Sequence, residues 1–354
     1  MHRSLNTRGA GSNRPSRFLG WGREVSDEGG FDGDDEKGLG TEVCEDEARS
    51  VISWNESPDI PFDRSINPYR GCEHGCIYCY ARPTHAYLGL SPGLDFERKL
   101  FFKRDAAAVL RRELARPGYR PATIVIGANT DPYQPIERRL GLTRSILEVL
   151  RDCGHPLGVT TKSALIERDL DILSAMARDG LASASISVTT LDQGLARRLE
   201  PRAATPKRRL EAIAALAEAG VPTGVLVSPV IPALTDQDIE RVLQAAAAAG
   251  AVFAACTLIR LPAEVRDLFA DWLAIHCPGR ASHVMSVIRQ SRDGRDNDPR
   301  FGSRMLGSGH IAKLIQDRFN LACRRAGLSR ELPSRRTDLF RPPRLEPDRQ
   351  LSLF

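Results

Sequence analysis

Three cysteines stand close together in the segment RGCEHGCIYCY, residues 70–80. Cys72, Cys76 and Cys79 follow a C-x3-C-x2-C spacing, and thiolates this close in sequence are typical metal ligands. Structural metal sites usually take four protein ligands, whereas catalytic sites keep one position for another molecule. The spacing therefore indicates a metal site and leaves open which ligand takes the fourth position.

The residue types leave three interpretations of this cluster. Buried free cysteines behave as small apolar side chains, but the intervening Glu73, His74 and Gly75 are polar or flexible, which is typical of a loop. In such a loop His74 is expected to face solvent or the outer shell of a metal cluster. A zinc ion could take His74 or His85 as its fourth ligand, although zinc sites usually have a second pair of closely spaced ligands. A [4Fe–4S] cluster needs one ligand for each of four irons, and three thiolates would leave one iron open.

The elements that must position this loop alternate between strands and helices. Strands are predicted where apolar and β-branched residues run together, at 65–72, 122–128, 156–161, 181–188, 221–227 and 251–259. Helices are predicted between and after them, at 105–114, 140–153, 168–178, 206–219, 236–249 and 262–275. This alternation predicts an α/β fold, a partial (β/α)6 TIM-like barrel, with a doubly wound sheet as the alternative. In both folds the chemistry lies at the carboxyl ends of the strands.

The barrel is assigned to residues 51–278, and the flanking regions differ from it in composition. Residues 1–50 hold 7 Lys and Arg against 11 Asp and Glu and are rich in glycine, which predicts a disordered acidic region. Residues 279–328 are predicted to form a basic helical appendage, a loop followed by a helix from about 309 to 326. Residues 329–354, rich in Pro and Arg, are predicted to be an extended tail.

Composition narrows the class of protein. No run of about 18 apolar residues is present, so no membrane span is expected. The N-terminal residues have no apolar segment typical of a secretory signal. Eight cysteines are few for 354 residues, and three of them are bunched, which indicates metal binding in a reducing cytoplasm rather than a disulfide framework.

Tyr78 stands directly before the last cysteine of the motif, at the end of the first predicted strand. In this position the motif resembles that of the radical S-adenosylmethionine (radical SAM) superfamily. The resemblance implies that Cys72, Cys76 and Cys79 hold a [4Fe–4S] cluster, whose open iron is chelated by S-adenosylmethionine, and that Tyr78 contacts the adenine. It also implies reductive cleavage to a 5′-deoxyadenosyl radical and an electron donor of the flavodoxin or ferredoxin type.

Longer segments are similar to the spore photoproduct lyase-like branch, whose members are often labelled DNA repair photolyases. They are PYRGCEHGCIYCYAR, GANTDPYQPIE, TTKS, SISVTT and RLEPRAATPKRRLEAI, within roughly residues 51–275. The resemblance implies that Lys162 and Ser187 bind the methionine carboxylate and that Asn129, Thr130 and Asp131 bind the sulfonium or ribose. The alternatives are a surface lysine, a strand serine and ordinary turn residues.

The sequence departs from that branch at the end of the second predicted strand. Spore photoproduct lyase has a hydrogen-donor cysteine there, whereas this chain has Asn-Thr-Asp at 129–131, and the family's common Gly-Gly-Glu is also absent. Cys256 is the other cysteine in a predicted strand, and we expect it in the core. Arg260, after the last strand, is either a substrate or phosphate ligand or a salt-bridged residue. Glu200 and Arg208 are candidates for orienting S-adenosylmethionine or substrate.

The last residues of the sequence and the basic appendage indicate partners. Gln350, Leu351, Ser352, Leu353 and Phe354 resemble the peptide by which bacterial DNA polymerases and repair proteins bind the sliding clamp. The appendage is either a surface for nucleic acid backbone or a solvated charged face. Its basic residues are Arg289, Arg292, Arg295, Arg300, Arg304, Lys313, Arg318, Arg324 and Arg325.

These observations together predict a radical SAM enzyme that acts on DNA or another nucleic acid. The first alternative is a radical SAM enzyme that modifies a protein or a small molecule. The second is a non-catalytic, metal-stabilised adaptor that docks on the replication clamp.

Overall fold

The computed structural model describes residues 8–18 and 40–345. A seven-stranded sheet contains β2 (Ile52–Trp54), β3 (Arg64–Ile66), β6 (Ile124–Ile126), β7 (Leu157–Thr161), β8 (Ala182–Ser187), β9 (Thr223–Val230) and β10 (Phe253–Leu258). Its order is β10-β9-β8-β7-β6-β3-β2. The strands from β3 to β10 are parallel to their neighbours, and β2 pairs antiparallel with β3 at the edge.

Each parallel strand of this sheet lies beside the strand that precedes it in the sequence. A doubly wound sheet instead reverses its strand order at a switch point. The predicted partial (β/α)6 barrel is therefore confirmed, and the doubly wound alternative is wrong. All six residues of β8 are buried, as expected for a parallel strand covered on both faces.

Helices connect these strands and cover the outer face of the sheet. They are α1 (Leu94–Arg98), α2 (Ala106–Leu114), α3 (Glu137–Leu140), α4 (Leu142–Asp152), α5 (Leu170–Arg178), α6 (Gln193–Leu199), α7 (Pro206–Glu218), α8 (Ile239–Ala248) and α9 (Val265–His276). Short 3-10 helices cover Arg82–Leu88, Ala164–Asp169 and Asp236–Asp238. Six of the α-helices match the six predicted helical segments within a few residues.

Part of the N-terminal region is ordered, contrary to the prediction of disorder over residues 1–50. β1 (Glu42–Glu45) pairs with β5 (Lys99–Phe102), and β4 (Tyr69–Arg70) completes a three-stranded sheet. Within residues 8–18, the backbone N–H groups of Gly9 and Ala10 donate hydrogen bonds to the Glu97 carboxylate. The prediction of disorder over 1–50 is therefore wrong for residues 8–18 and 40–50. For residues 1–7 and 19–39 it lies outside the described residues.

The appendage contains α10 (Ala281–Gln290), α11 (Ser303–Leu306) and α12 (Gly309–Ala326). The predicted helix matches α12, whereas α10 replaces part of the expected loop. Residues 335–341 then cross the amino ends of β7 and β8, where the Arg336 and Arg341 N–H groups donate to the carbonyls of Gly180 and Cys153. The peptide formed by Gln350, Leu351, Ser352, Leu353 and Phe354 lies outside the described residues.

Over the two described ranges, no helix combines the length and the apolar character that crossing a membrane requires.

Candidate active site

A cavity of about 610 Å³ lies at the carboxyl ends of the parallel strands. The three clustered cysteines, Cys72, Cys76 and Cys79, form part of its wall. Residues from the strand ends form much of the rest, and they include Gly127, Thr161, Ser187, Ser228 and Leu258. The fold therefore brings the cysteine loop over the end of the barrel where catalytic residues are found in such folds.

The cysteine loop runs from β4 to the 3-10 helix Arg82–Leu88, and its shape requires glycine. Gly71 and Gly75 have φ of +78° and +67°, a region that residues with a side chain rarely adopt. A Cβ atom on Gly71 would lie 2.8 Å from Leu100 Cδ2 and 2.9 Å from the Phe96 carbonyl oxygen. These two glycines let the loop turn tightly enough to present three thiols to one cavity.

Two buried polar side chains that sequence reasoning missed hold this loop. The Arg82 guanidinium donates to the Cys76 carbonyl at 2.9 Å and pairs with Glu97 at 2.6 Å. Gln134 accepts from the Glu73 N–H at 2.8 Å and donates to the Gly71 carbonyl at 3.2 Å. Gln134 lies within the segment GANTDPYQPIE, so the resemblance pointed to its neighbourhood. Arg82 is likewise the last residue of the segment PYRGCEHGCIYCYAR, which the resemblance also covers.

The donor set fits a cluster held by three thiolates. Within the described chain all cysteines are free of disulfides. Burial raises the pKa of the Cys72, Cys76 and Cys79 thiols, and the positive charge of Lys162 opposes this at Cys76 and Cys79. Without a metal these thiols are protonated at neutral pH, so iron binding must release protons.

Lys162 and Ser187 stand after β7 and at the end of β8, and both face the cavity. Neither the Lys162 ammonium nor the Ser187 hydroxyl forms a hydrogen bond or ion pair with another described residue. The Asn129 side-chain amide also lines the cavity without a described partner. These three polar groups are available to a bound ligand, and an ammonium beside a hydroxyl is suited to a carboxylate.

Asp131 and Thr130 are placed differently. The Asp131 carboxylate accepts from the Thr161 hydroxyl at 2.6 Å and from the Lys162 N–H at 2.7 Å. Although burial alone would raise it, the pKa of Asp131 is lowered to about 2 by the neighbouring His74 and these hydrogen bonds. The Thr130 hydroxyl donates to the Tyr69 carbonyl at 2.8 Å, away from the cavity. Both residues connect strand ends in this structure.

Comparison with known proteins shows the family. The sequence pattern of the Radical SAM superfamily matches residues 66–246, which include the cysteine loop and the strands from β6 to β9. The chain belongs to the radical SAM superfamily. It is therefore a radical SAM enzyme and uses a [4Fe–4S] cluster and S-adenosylmethionine, as predicted.

Several proteins are similar to this radical SAM enzyme. Uncharacterized proteins of Mycobacterium tuberculosis and Mycobacterium bovis are 40% identical over 233 residues, 65% of this chain and 68% of theirs. The radical SAM Nα-GlyT isomerase of Pseudomonas phage M6 is 26% identical over 186 residues, 52% of this chain and 36% of its own length.

Solved structures of spore photoproduct lyase share the fold. A mutant form has a TM-score of 0.59 with 16% identity, and 82% of each chain is covered. A complex with a dinucleoside spore photoproduct has the same TM-score and identity, with 81% of each chain covered. At this identity the likeness to spore photoproduct lyase is one of fold.

Tyr78 of the radical SAM motif is anchored by a buried network. Its hydroxyl donates a short hydrogen bond to Glu200, which also accepts from the Thr189 hydroxyl at 2.8 Å and pairs with Arg209. Burial raises the pKa of Glu200, but Arg209 and the other partners outweigh this and lower it to about 2. Glu200 therefore orients Tyr78. Arg208, the other candidate, instead pairs with carboxylates on the helix surface.

Arg260 faces the same cavity from the loop after β10. Its Nε is buried without a hydrogen-bond partner, and its Nη1 lies 3.6 Å from Met305 Sδ. It forms no ion pair with any described residue, and burial lowers its pKa. The salt-bridged interpretation of Arg260 is therefore wrong. Cys256 does not line the cavity; its Sγ lies 3.7 Å from Gln316 Nε2.

His74 is buried, with 2% of its surface exposed. Of the two positions expected for it, facing solvent or the outer shell of the cluster, the first is therefore wrong. Its Nδ1 lies 3.3 Å from Asp131 Oδ2. His85, the other histidine considered for zinc, directs Nε2 toward the Lys99 carbonyl at 2.9 Å and does not line the cavity. His74 also lines a second cavity on the outer side of the cysteine loop.

Proposed function

We propose that this radical SAM enzyme acts on a nucleic acid. When bound, the cluster and S-adenosylmethionine supply a 5′-deoxyadenosyl radical that abstracts a hydrogen atom from the substrate. The single observation that carries the nucleic-acid proposal is Arg260. A guanidinium without a carboxylate partner, in the same cavity wall as the three cysteines, favours a substrate with a phosphate group.

Two aromatic rings that lie beside arginines of the cavity wall support this substrate class. The Arg260 guanidinium lies 5.5 Å from the Tyr80 ring centroid, and that of Arg304 lies 4.5 Å from the Phe301 ring centroid. Tyr80 and Phe301 are 47% and 61% exposed. Exposed rings can stack on unpaired bases while neighbouring cations contact the phosphates.

The basic appendage supports the proposal less than its composition predicted. Arg289, Arg300, Lys313 and Arg318 pair with carboxylates of the protein, and Arg304 pairs with Asp59. Arg292 is buried and donates to the Leu258 and Ile259 carbonyls. Much of this charge is neutralised internally, so the substrate contacts are assigned to the cavity wall.

The cofactor contacts are proposed from the free polar groups of the cavity. Lys162 and Ser187 would bind the methionine carboxylate, and the Tyr78 ring would contact the adenine. The Asn129 amide would reach the sulfonium or ribose. Asp131 would act as a positioning residue, because its carboxylate is already engaged by Thr161 and the Lys162 backbone.

The test of the substrate class is anaerobic cleavage of S-adenosylmethionine by the dithionite-reduced enzyme. Formation of 5′-deoxyadenosine is compared in the presence of single-stranded DNA, duplex DNA, RNA and a peptide of mixed sequence. We expect stimulation by a nucleic acid and none by the peptide. Stimulation by the peptide alone would support the alternative, an enzyme that modifies proteins.

Variants of Arg260 refine this test. Arg260→Ala should abolish the stimulation by nucleic acid, whereas Arg260→Lys should keep part of it because the charge is retained. The unstimulated cleavage rate should change little in both variants. Arg324→Ala, an exposed residue on α12, is the control. Unchanged stimulation in Arg260→Ala would overturn the assignment of Arg260 to the substrate.

We propose further that the peptide Gln350, Leu351, Ser352, Leu353 and Phe354 binds the sliding clamp. Support comes from the residue types, because Leu351, Leu353 and Phe354 can fill an apolar pocket and Gln350 can supply polar orientation. Capture of the full-length protein on immobilised clamp should be lost in a Leu353→Ala/Phe354→Ala variant; undiminished capture would exclude this partner.

A further inference from the structure

A loop and the basic appendage meet across the open side of the barrel. In the described chain the sheet ends at β2 on one edge and at β10 on the other, and these two strands do not pair. The loop of residues 55–63, which joins β2 to β3, forms hydrogen bonds with residues 302–304 of the appendage. Ser57 of this loop and Arg304 of the appendage both line the active-site cavity. Their contact therefore forms part of the cavity wall on the side that the sheet leaves open.

The Asp59 carboxylate is the centre of this contact. Its Oδ1 accepts from the Gly302 N–H at 2.6 Å, and its Oδ2 pairs with Arg304 Nε. Arg304 also donates to the Ser57 hydroxyl. The Asp59 side chain is 5% exposed and that of Arg304 is 19% exposed. Guanidinium and backbone N–H groups bind phosphate oxygens as well as carboxylates, so these donors would also suit a phosphate group.

Arg260 lies close enough to this pair to interact with it. Burial lowers the pKa of Arg260, the positive charge of Arg304 lowers it further, and the negative charge of Asp59 opposes the change. Arg260 and Arg304 line the same cavity. Two guanidiniums of one wall thus interact with the carboxylate of Asp59, and one of the two, Arg260, has no ion pair among the described residues.

The arginine side of the contact is fixed more firmly than the loop. Buried Arg292 donates to the carbonyls of Arg304 at 3.2 Å and Ile259 at 3.1 Å, which holds the backbone beside both cavity arginines. Residues 56–61 form no helix or strand. Within the described ranges, every hydrogen bond from residues 56–61 to another segment ends on the appendage. Loss of these bonds would leave the loop free to move while the arginines stay in place.

We infer that Arg304 and the Gly302 N–H form a phosphate subsite of the active-site cavity, which the Asp59 carboxylate occupies until substrate binds. A phosphate group of the substrate takes the place of the carboxylate between these donors, and the loop of residues 55–63 is released. Arg260 adds a second positive charge on the same wall. The inference rests on the phosphate-bearing substrate of the proposed function, and it adds where a phosphate binds and what it displaces.

Affinity for DNA is the first measurement. Binding of a fluorescently labelled single-stranded oligonucleotide is followed by anisotropy, with the cluster-loaded enzyme and S-adenosylmethionine present. An internal competitor lowers the apparent affinity by the fraction of enzyme whose subsite is open. Asp59→Asn removes the competing charge and should therefore bind the oligonucleotide about tenfold more tightly than the unmodified enzyme. If Asp59 only held the wall in shape, this variant would bind equally well or more weakly.

Two further variants test whether the subsite causes the gain. Asp293→Asn makes the same change in charge at an exposed ion pair with Arg300 of the appendage, and its affinity should be close to that of the unmodified enzyme. In Asp59→Asn/Arg304→Gln the tighter binding should disappear, because the guanidinium of the subsite is removed. Iron content and thermal unfolding are measured for every variant, so that loss of the cluster or of the fold is not mistaken for loss of binding.

Release of the loop is the second measurement, with inorganic phosphate as the probe. Hydrogen–deuterium exchange of residues 55–63 in the unmodified enzyme should become faster when phosphate is added. Chloride at the same ionic strength should not have this effect. In Asp59→Asn the exchange should be fast without any added anion. This measurement contains no nucleic acid and therefore tests the subsite separately from the proposed substrate.

Two results would overturn the inference. One is an oligonucleotide affinity in Asp59→Asn equal to that in Asp293→Asn. The other is exchange of residues 55–63 that phosphate does not alter. An unmodified enzyme that binds no oligonucleotide, but whose loop is released by phosphate, would support the subsite and count against nucleic acid as the substrate.

Discussion

Arg82 and Glu97 form an ion pair in which both side chains are fully buried, with 2.6 Å between Nη2 and Oε1. Arg82 also donates to the carbonyls of Cys76 and Gly75. Glu97 accepts from the N–H groups of residues in the N-terminal segment 8–18. The pair therefore joins the cysteine loop to the rest of the protein.

Breaking this pair should be costly. Arg82→Ala leaves Glu97 as a buried unpaired charge and should lower the free energy of unfolding by about 3–5 kcal/mol. Chemical denaturation of the metal-free protein measures this change. Arg208→Ala, which breaks exposed pairs, should cost less than about 1 kcal/mol. If both variants lost the same free energy of unfolding, burial would not be what makes the Arg82–Glu97 pair costly to break.

Each cluster ligand should be indispensable for iron binding. Cys72→Ala, Cys76→Ala and Cys79→Ala should each reduce the iron content after anaerobic reconstitution and abolish cleavage of S-adenosylmethionine. Cys256→Ala is the matched control, since Cys256 lies outside the cavity, and it should retain both. Full iron content in any of the first three variants would remove that cysteine from the ligand set.

Lys162 should contribute to affinity for S-adenosylmethionine. A charged hydrogen bond to a carboxylate is worth about 1.5–3 kcal/mol, so Lys162→Ala should weaken binding by about 10–150-fold. Equilibrium dialysis with the cluster-loaded protein measures this affinity. Lys207→Ala changes a lysine whose side chain is 88% exposed and should have no effect. A normal affinity in Lys162→Ala would reject the carboxylate assignment.

Two variants of Tyr78 should distinguish the role of its ring from the role of its hydroxyl. Tyr78→Phe keeps the ring and removes a donor to Glu200, so stability should fall by about 1–3 kcal/mol while cofactor affinity changes little. Tyr78→Leu also removes the ring and should weaken S-adenosylmethionine binding. Denaturation and dialysis on the same samples distinguish the two effects. Equal affinities in Phe and Leu variants would argue against an adenine contact.

His155 should make stability depend on pH. Burial lowers its pKa from 6.5 to about 4, because the folded protein favours the neutral ring. A lowered folded pKa means that stability is full above the unfolded pKa and falls as pH decreases from about 6.5 to 4, on the order of 3 kcal/mol in total. Denaturation of the metal-free protein across this range measures the slope.

The variant His155→Phe tests the origin of that slope. It removes the titrating group and should flatten most of the dependence. Burial also lowers the pKa of His85 and of His276, and both contribute to the part that remains. An unaltered slope would assign the dependence to other groups.

Much of the barrel could be predicted because its signals are local. β8 and the helix α7 have periodic or continuous apolar residues, and α7 begins at Pro206 after Thr205, whose hydroxyl accepts from the Arg208 N–H. The cysteine motif was also local, because its three ligands lie within eight residues. Each of these features is determined by residues that are close together in the sequence. A single sequence is therefore enough to predict them.

The remainder depends on contacts between distant segments. Glu200 and Arg208 were both candidates for orienting ligands. Glu200 pairs with the buried Arg209, whereas Arg208 pairs at the surface, since helix geometry turns one arginine inward and its neighbour outward. The position of His74 between two cavities also depends on residues from three separate loops. The composition of residues 8–18 and 40–50 predicted disorder because it shows little apolar surface, whereas their order comes from partners near residues 95–102.

Gly9 makes the N-terminal segment a practical concern for anyone who prepares this protein. A Cβ at this position would lie 1.7 Å from the Gly75 carbonyl oxygen, so the backbone of residue 9 rests directly on the cysteine loop. The composition of residues 1–50 would suggest that the protein can be shortened to begin at residue 51. Such a truncation would uncover the side of the cysteine loop on which residue 9 rests, and it would remove β1. Material shortened in this way should lose colour in air faster than the full-length protein. Purification tags are then better placed away from this segment.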